Sequence, residues 1–288
     1  MPELPEAETI RRALARSILG MRVVRAVVRR PDIVTLTEPE RRVRLPVALL
    51  EGETIESILR HGKQLAVVSR NGRAVGIRLG MTGSLIVRDR PTLLDRHDHV
   101  VWTLQDRDQS TRVIFRDPRR FGGLTCFPSR SDLNDAWRAL GPDAHTISTG
   151  QLHRILSGRR LPIKAALLNQ RVIAGVGNIY ADESLHLSGL NPGIMTNDLQ
   201  REHVVRLARA IRMVLSSAIR HHGSTIGSFS DPAGVKGNYQ DRHRVYGRAG
   251  LPCHLCGKPL VQGVIAQRTT VYCGKCQTMP TLEPGSPA

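Results

Sequence analysis

The sequence has 288 residues, 40% of them hydrophobic, enough for one large or two modest domains with real cores. It has no apolar run of 18 or more residues, which excludes an apolar helical membrane span. Forty-two basic against 25 acidic residues leave a net charge of +17, far more than solubility needs. A polyanion partner is the leading explanation, and nucleic acid is the commonest polyanion. Only five lysines occur (Lys63, Lys164, Lys236, Lys258, Lys275), so arginine dominates. A general arginine bias explains part of that excess but not the shortage of acids. The opening MPELPEAETI resembles neither a secretion signal nor a transit peptide. A cytoplasmic, nucleoid-associated monomer is therefore expected, with no membrane contact.

Pro5–Leu19 is predicted to be a helix. Pro5 suits its first turn, Glu6 and Glu8 suit its positive end, and Ile10, Leu14 and Ile18 recur at helical spacing. Seven short β-rich segments follow: Val23–Val28, Ser57–Leu59, Gln64–Val68, Ala74–Leu79, Ser84–Val87, Val100–Leu104 and Val113–Phe115. They describe an antiparallel sheet or sandwich. Beyond about residue 130 the spacing turns helical, over Asp132–Leu140, Thr149–Ser157, Ile163–Leu168, Asn178–Leu187 and Arg201–His221. Gly223–Asn238 is a loop rich in Gly and Ser. Tyr246–Cys276 reads as a small two-hairpin cysteine module, and Thr278–Ala288, with three prolines, as a disordered tail. The fold class is α+β. The expected segments are 1–130 (helix plus antiparallel β-sandwich), 131–240 (helical), 241–277 (cysteine module) and 278–288 (tail).

Cys253-x-x-Cys256 and Cys273-x-x-Cys276 are separated by 16 residues. Each CxxC turn lets two thiolates meet one ion, and the intervening length suits a hairpin. Four sulfurs would hold one structural Zn2+ with no open position; a pair of redox motifs is the lesser alternative. Cys126 stands alone and reads as a small buried apolar residue. Arg268 would sit at the hairpin tip, either as a solvated turn residue or reaching a phosphate. Gly175-Val-Gly177-Asn178 precedes a helix, where Asn178 would cap it, bind a phosphate, or both. Asp117-Pro-Arg119-Arg120-Phe121-Gly122 is a turn that presents two guanidiniums and a ring. It reads either as a duplex wedge or as a surface arginine pair beside a core phenylalanine. Lys63 by itself is an ordinary surface lysine, and Met81 a core or turn methionine.

These pieces together resemble the formamidopyrimidine-DNA glycosylase family, which includes the endonuclease VIII type. The resemblance rests on MPELPEAETIRR, LGMTGSL, HDHV, RDPRRFG, IAGVGNIYADE, VYGR and AQRTTVYC within the cysteine module, and runs to about Gln277. It implies a nucleophilic N-terminal amine on Pro2, an essential acid at Glu3 and an assisting lysine at Lys63. Met81, Arg119 and Phe121 match the residues that fill the gap left by a flipped base. Phosphate contacts map to His97, Arg160, Asn178 and Arg268, with Arg268 also associated with δ-elimination. Lys164 maps near the DNA path as a further DNA contact. The helical segment corresponds to a helix-two-turns-helix domain and the cysteine module to a zinc finger. The loop that closes over an everted purine matches approximately Ser224–Tyr239. Where relatives often carry histidine before Leu-Gly-Met, this chain has Arg78, which keeps a cationic contact.

The implied chemistry suits these residue types. Removal of Met1 frees a secondary amine at Pro2. An unperturbed α-amino group has a pKa of roughly 7.7–8.0, so a neutral fraction exists at physiological pH. Attack on the sugar C1′ expels the base and leaves a charged iminium, which acidifies the C2′ proton and leads to strand breakage. Glu3 is placed to protonate the ring oxygen. The lesion must leave the stack to be reached, which explains a wedge and a basic groove. The expected function is excision of oxidised purines from damaged double-stranded DNA with β,δ-elimination. The alternatives are an endonuclease VIII-type enzyme for oxidised pyrimidines and a non-catalytic damage-binding DNA protein.

Overall fold

A computed structural model describes residues 2–38, 43–90, 92–107, 109–227 and 229–278. Met1, and the tail beyond Thr278 that was expected to be disordered, lie outside the described residues. The chain forms two compact units: Met1–Ala139 with Ala218–Gln240, and Leu140–Ser217 with Asp241–Ala288.

The first unit opens with α1 (Leu4–Ile18). Then come β1 (Arg22–Val28), β2 (Val34–Leu36), the single-turn α2 (Leu45–Ala48), β3 (Ile55–His61), β4 (Gln64–Ser69) and β5 (Ala74–Arg78). β6 (Ser84–Arg88), β7 (Asp98–Asp106), β8 (Gln109–Arg116), β9 (Gly123–Phe127) and α3 (Arg130–Arg138) complete it. One sheet runs β1-β7-β8-β6 and the other β2-β9-β5-β4-β3. The alternation of Val100, Trp102 and Leu104 on β7 and of Val113 and Phe115 on β8 turns one face of the first sheet inward. Leu65, Val75 and Ile77 of the second sheet join the same core, and Ile10, Leu14 and Ile18 of α1 complete it. Trp102 donates its Nε1–H to the Leu49 carbonyl at 2.9 Å, so the large ring is buried without an orphaned donor.

Two strands were not expected from sequence, β2 and β9. They pair in parallel, whereas every other strand pair in these two sheets is antiparallel. β2 is three residues long and is defined only by its pairing with residues 124–126, so no local alternation announces it.

The second unit contains α4 (Thr149–Ser157), α5 (Ile163–Leu168), α6 (Asn178–Ser188) and most of α7 (Arg201–Arg220), followed by the antiparallel hairpin β10 (Val261–Ile265) and β11 (Arg268–Tyr272). α4 begins with a capping box between Ser148 and Gln151. α6 is buried almost all round, from Ile179 to His186. Its polar side chains therefore need partners inside the protein. The module was expected to hold two hairpins. The first is instead a cysteine turn closed by a single bridge between Pro252 and Pro259. Among the described residues no helix is long and apolar enough to cross a membrane.

Candidate active site and nucleic-acid interface

In the first unit, the candidate nucleophile and acid sit at the start of α1. Pro2 is half-buried and Glu3, at the N-cap, is 4% exposed. The Glu3 backbone N–H donates to Glu6 Oε2 at 2.8 Å. Glu6 Oε1 accepts the backbone N–H of Ser224 at 2.7 Å. One buried carboxylate thus holds both the candidate acid's backbone and the first residue of the 224–239 loop. Both N–H groups lie at the positive end of α1, where a negative charge is stabilised. Two residues on, Glu8 accepts from Arg11, Arg12 and Arg60. Burial alone would raise its carboxyl, but these arginines outweigh burial and hold it at about 2.

Lys63 lies in the two-residue turn between β3 and β4, where His61 pairs with Gln64. Trp137 secures this turn by stacking on His61 at 5.7 Å and donating its Nε1–H to Gln64 Oε1 at 3.0 Å.

Met81 and Phe121 are 48% and 51% exposed, unusual for large apolar side chains. They project from two turns that touch backbone to backbone. A Cβ at Gly80, whose φ is +61°, would lie 2.5 Å from the Phe121 carbonyl carbon, and one at Gly122 would lie 2.5 Å from the Arg78 carbonyl oxygen. Only glycine permits this approach. The fully buried Asp117 carboxylate ties the turns together by accepting from the Thr82 hydroxyl and from the backbone N–H groups of Arg119 and Gly122. The exposed Arg119 guanidinium lies over the Phe121 ring at 4.6 Å, a cation–π contact. The structure thus brings Met81, Arg119 and Phe121 onto one rigid mount. Phe121 is not a core residue.

His97 is half-buried just before β7, its Nε2 accepting from Arg96 at 3.0 Å and its backbone N–H held by Asp95. The next residue, Asp98, is fully buried against Arg116 at 2.6 Å and fixes this bend. The 224–239 loop has no regular strand or long helix among its described residues, as expected, yet it is well anchored. Asp231 Oδ1 accepts from the N–H groups of Ala233 and Val235, and Val87 donates to the Pro232 carbonyl. Cys126 is buried in the core as expected, and burial pushes its thiol up to about 12.

In the second unit, Arg160 is exposed between α4 and α5. Its loop is pinned by Thr196, whose hydroxyl donates to the Arg159 carbonyl at 2.7 Å. Arg268, also exposed, begins β11 beyond a turn in which Ala266 and Gln267 have φ of +50° and +57°. Two successive positive φ angles make the type I′ pattern, which normally uses Asn-Gly; with other residues it costs roughly 1–2 kcal/mol at each position. Asn178 does not cap α6, because Gly177 occupies the N-cap. Instead the Asn178 Nδ2 donates to the Thr269 carbonyl at 3.0 Å, beside Arg268.

Lys164 requires a correction. It was expected to be a DNA contact, but it is 0% exposed and its ammonium cannot reach a phosphate. Its Nζ lies 2.6 Å from Asp182 and donates to the Thr269 carbonyl at 2.9 Å and to Thr270 Oγ1 at 2.7 Å. Asp182 also accepts the Val271 N–H at 3.1 Å. Burial pushes the Asp182 carboxyl up to about 6, against the pull of Lys164. This pair fixes β11, which carries Arg268. On the next face of α6, the Glu183 carboxylate accepts the backbone N–H groups of Arg244, Val245 and Tyr246 at 2.9–3.0 Å.

The four module cysteines converge, all their sulfurs lying within 4.8 Å of one another. Cys256 and Cys273 are 3.5 Å apart, and Cys253 and Cys276 4.0 Å. Zinc with Zn–S bonds of about 2.3 Å needs sulfurs roughly 3.8 Å apart, so the set fits one tetrahedral zinc ion. Backbone N–H groups of Leu255 and Cys276 point at the sulfurs of Cys253 and Cys273, as they do toward thiolates.

Sequence reading missed four organising carboxylates: Glu6, Asp117, Asp182 and Glu183. The Asp-Pro dipeptide of the Asp117 turn was a usable signal, since Asp side chains bind backbone N–H groups in turns. The other three lay inside predicted helices, where acids look like solvated faces.

Comparison with known proteins agrees with this arrangement. Residues 1–124 match the formamidopyrimidine-DNA glycosylase N-terminal domain, and residues 139–230 match the H2TH domain of the same enzymes. A formamidopyrimidine-DNA glycosylase from Xanthomonas oryzae pv. oryzae is 41% identical over 282 residues, spanning 96% of this chain and all of the relative. One from Stenotrophomonas maltophilia is 40% identical over 279 residues, with the same coverage. The crystal structure of the Thermus thermophilus MutM (Fpg) protein matches with a TM-score of 0.82 at 38% identity, over 97% of this chain and all of that one. A point mutant of Lactococcus lactis Fpg in complex with Fapy-dG-containing DNA matches with a TM-score of 0.85 at 30% identity, over 96% of this chain and 99% of that one. The chain belongs to the formamidopyrimidine-DNA glycosylase family of DNA-repair enzymes.

Proposed function

We propose that this chain is a bifunctional glycosylase and abasic-site lyase that excises oxidised purines, notably 8-oxoguanine and formamidopyrimidines, from duplex DNA. The observation that carries the reading is Glu3, a carboxyl 4% exposed and next in the chain to Pro2, with its backbone fixed by Glu6. With Met1 removed, the Pro2 amine attacks C1′ of the damaged nucleotide. The bond from C1′ to the base breaks as the C1′–N bond to Pro2 forms. The proton of the attacking nitrogen passes to the departing base; Glu3 then supplies a proton to the ring oxygen, and the C1′–O4′ bond breaks to open the sugar. The secondary amine yields an iminium that cannot be neutralised by losing an N–H proton. It acidifies C2′, so the strand is cut by β- and then δ-elimination, with Lys63 and Arg268 assisting.

Met81, Arg119 and Phe121 fill the space vacated by the everted nucleotide. His97, Arg160, Asn178 and Arg268 take phosphates. The four cysteines hold one zinc ion, whose role is to fold the hairpin; with all four positions sulfur, it has none to offer a substrate. Related Lactococcus lactis structures contain Fapy-dG DNA and abasic-site DNA, which supports this substrate class.

The test is borohydride trapping with duplexes that carry 8-oxoguanine or thymine glycol. A covalent adduct on the purine lesion, weakened in Pro2→Gly, is expected. An adduct on thymine glycol alone overturns the substrate class. Binding with no adduct, from protein shown to lack Met1, overturns catalysis.

A further inference from the structure

α6 presents a stripe of polar side chains at intervals of four residues: Asn178, Asp182 and His186. At this spacing they share one face of the helix. Each grips the cysteine module at a different point. Asn178 holds the Thr269 carbonyl, Asp182 holds the Val271 N–H, and the His186 Nε2 lies 3.5 Å from Cys253 Sγ. His186 is 1% exposed, and its other ring nitrogen, Nδ1, is buried without a hydrogen-bond partner.

That asymmetry sets the tautomer. A proton on Nδ1 would be a buried donor with nothing to accept it. It would also turn the Nε2 lone pair toward an electron-rich sulfur. With the proton on Nε2, the N–H points at Cys253 and only an acceptor is left bare. A metal-bound thiolate carries no proton and offers only lone pairs, so the contact runs from nitrogen to sulfur.

We propose that His186 is a positioning residue for the zinc site, donating an Nε2–H···S hydrogen bond to the Cys253 thiolate. The bond draws electron density from the sulfur. Cys253 becomes a poorer nucleophile toward electrophiles and oxidants, and zinc is lost more slowly. It also ties the metal to the helix whose first residue, Asn178, holds the carbonyl of Thr269. This inference rests on the zinc reading of the four cysteines. It does not depend on glycosylase activity.

The test uses the full-length chain loaded with zinc, or with cobalt as a spectroscopic substitute, and compares His186→Phe with His186→Gln. Phenylalanine keeps a ring and removes the donor. Glutamine places a donor near the former Nε2. Zinc release to a chromophoric chelator is followed with iodoacetamide present. His186→Phe is expected to release zinc about tenfold faster, and His186→Gln to return toward the wild-type rate. In the cobalt form, the sulfur-to-metal charge-transfer band should move to lower energy in His186→Phe and recover in His186→Gln. An unmoved band with an unchanged release rate overturns the proposal. Equal acceleration in both variants also overturns it, because packing would then be the cause. Should His186→Phe fail to take up metal, His186→Leu supplies the donor-free comparison. A wild-type protein that takes up neither metal would instead overturn the zinc reading itself.

Discussion

The Glu6 carboxylate accepts the backbone N–H of Ser224 at 2.7 Å, a hydrogen bond that spans 218 residues of sequence. Its second oxygen holds the Glu3 N–H at 2.8 Å. Glu6→Gln leaves one oxygen for two donors and turns an amide N–H₂ toward one of them. An unsatisfied buried group costs about 1–3 kcal/mol, so the variant is expected to melt at a lower temperature. It should also trap lesion DNA more slowly at saturating DNA, because both the acid's backbone and the loop lose their anchor. Thermal melts and single-turnover trapping check this; wild-type values in both would remove the proposed role.

Asp117 and Phe121 should separate stability from DNA engagement. Asp117→Ala strands two donors, those of Thr82 and Gly122, while the Arg119 N–H keeps the Thr82 hydroxyl oxygen at 3.2 Å; it is expected to cost about 2–3 kcal/mol in a denaturant titration. Phe121→Ala removes a ring that is 51% exposed and should change stability by less than about 0.5 kcal/mol. Its effect should appear in lesion-duplex affinity, weakened by about 1–3 kcal/mol if the ring stacks on a base.

Lys164 and Arg160 make the complementary pair. Lys164→Met leaves Asp182 buried without its cation and is expected to destabilise the fold by about 3–5 kcal/mol. The salt dependence of DNA binding should keep its slope, since Lys164 touches no phosphate. Arg160→Ala should leave stability nearly unchanged and lower that slope by about 0.9, the value of one phosphate contact. Affinity measured across a salt series reads both.

Glu8 predicts a specific acid limb. Its folded-state carboxyl is held at about 2, below the usual 4.5. Its stabilisation is therefore fully present above pH 4.5 and is lost as the pH falls from 4.5 toward 2. Glu8→Gln should melt below wild type at neutral pH, and the gap should close within that window. A gap that stays constant across the whole window would contradict the assignment.

Metal removal should act on one unit only. Both tryptophans, Trp102 and Trp137, lie in the first unit, whereas all four clustered cysteines lie in the second. A strong chelator is expected to abolish DNA binding while leaving tryptophan emission unchanged. Zinc should restore binding. A large emission shift on chelation would show instead that the first unit depends on the metal.

The sequence announced features that repeat locally. α1, α4 and α5 were legible because their apolar spacing, and for α1 the Pro5, Glu6 and Glu8 of its first turn, lie within one or two turns. The cysteine cluster was legible because the CxxC spacing states its own chemistry. β2 and β9 were not, since their identity depends on partners far along the chain. Lys164 shows the same limit on the site. A lysine one residue into a short helix reads as solvated, and its burial becomes visible only with Asp182 and Thr270 packed against it. Asp117 and Glu6 act on backbone N–H groups, which every sequence contains and none advertises.

The mount beneath Met81, Arg119 and Phe121 is built from a buried carboxylate, a hydroxyl, main-chain groups and two glycines. None of its internal bonds uses the side chains it displays, apart from the Arg119–Phe121 contact. The tips are therefore interchangeable parts: evolution, or a protein engineer, can vary the side chains on display while the base that holds them stays as it is.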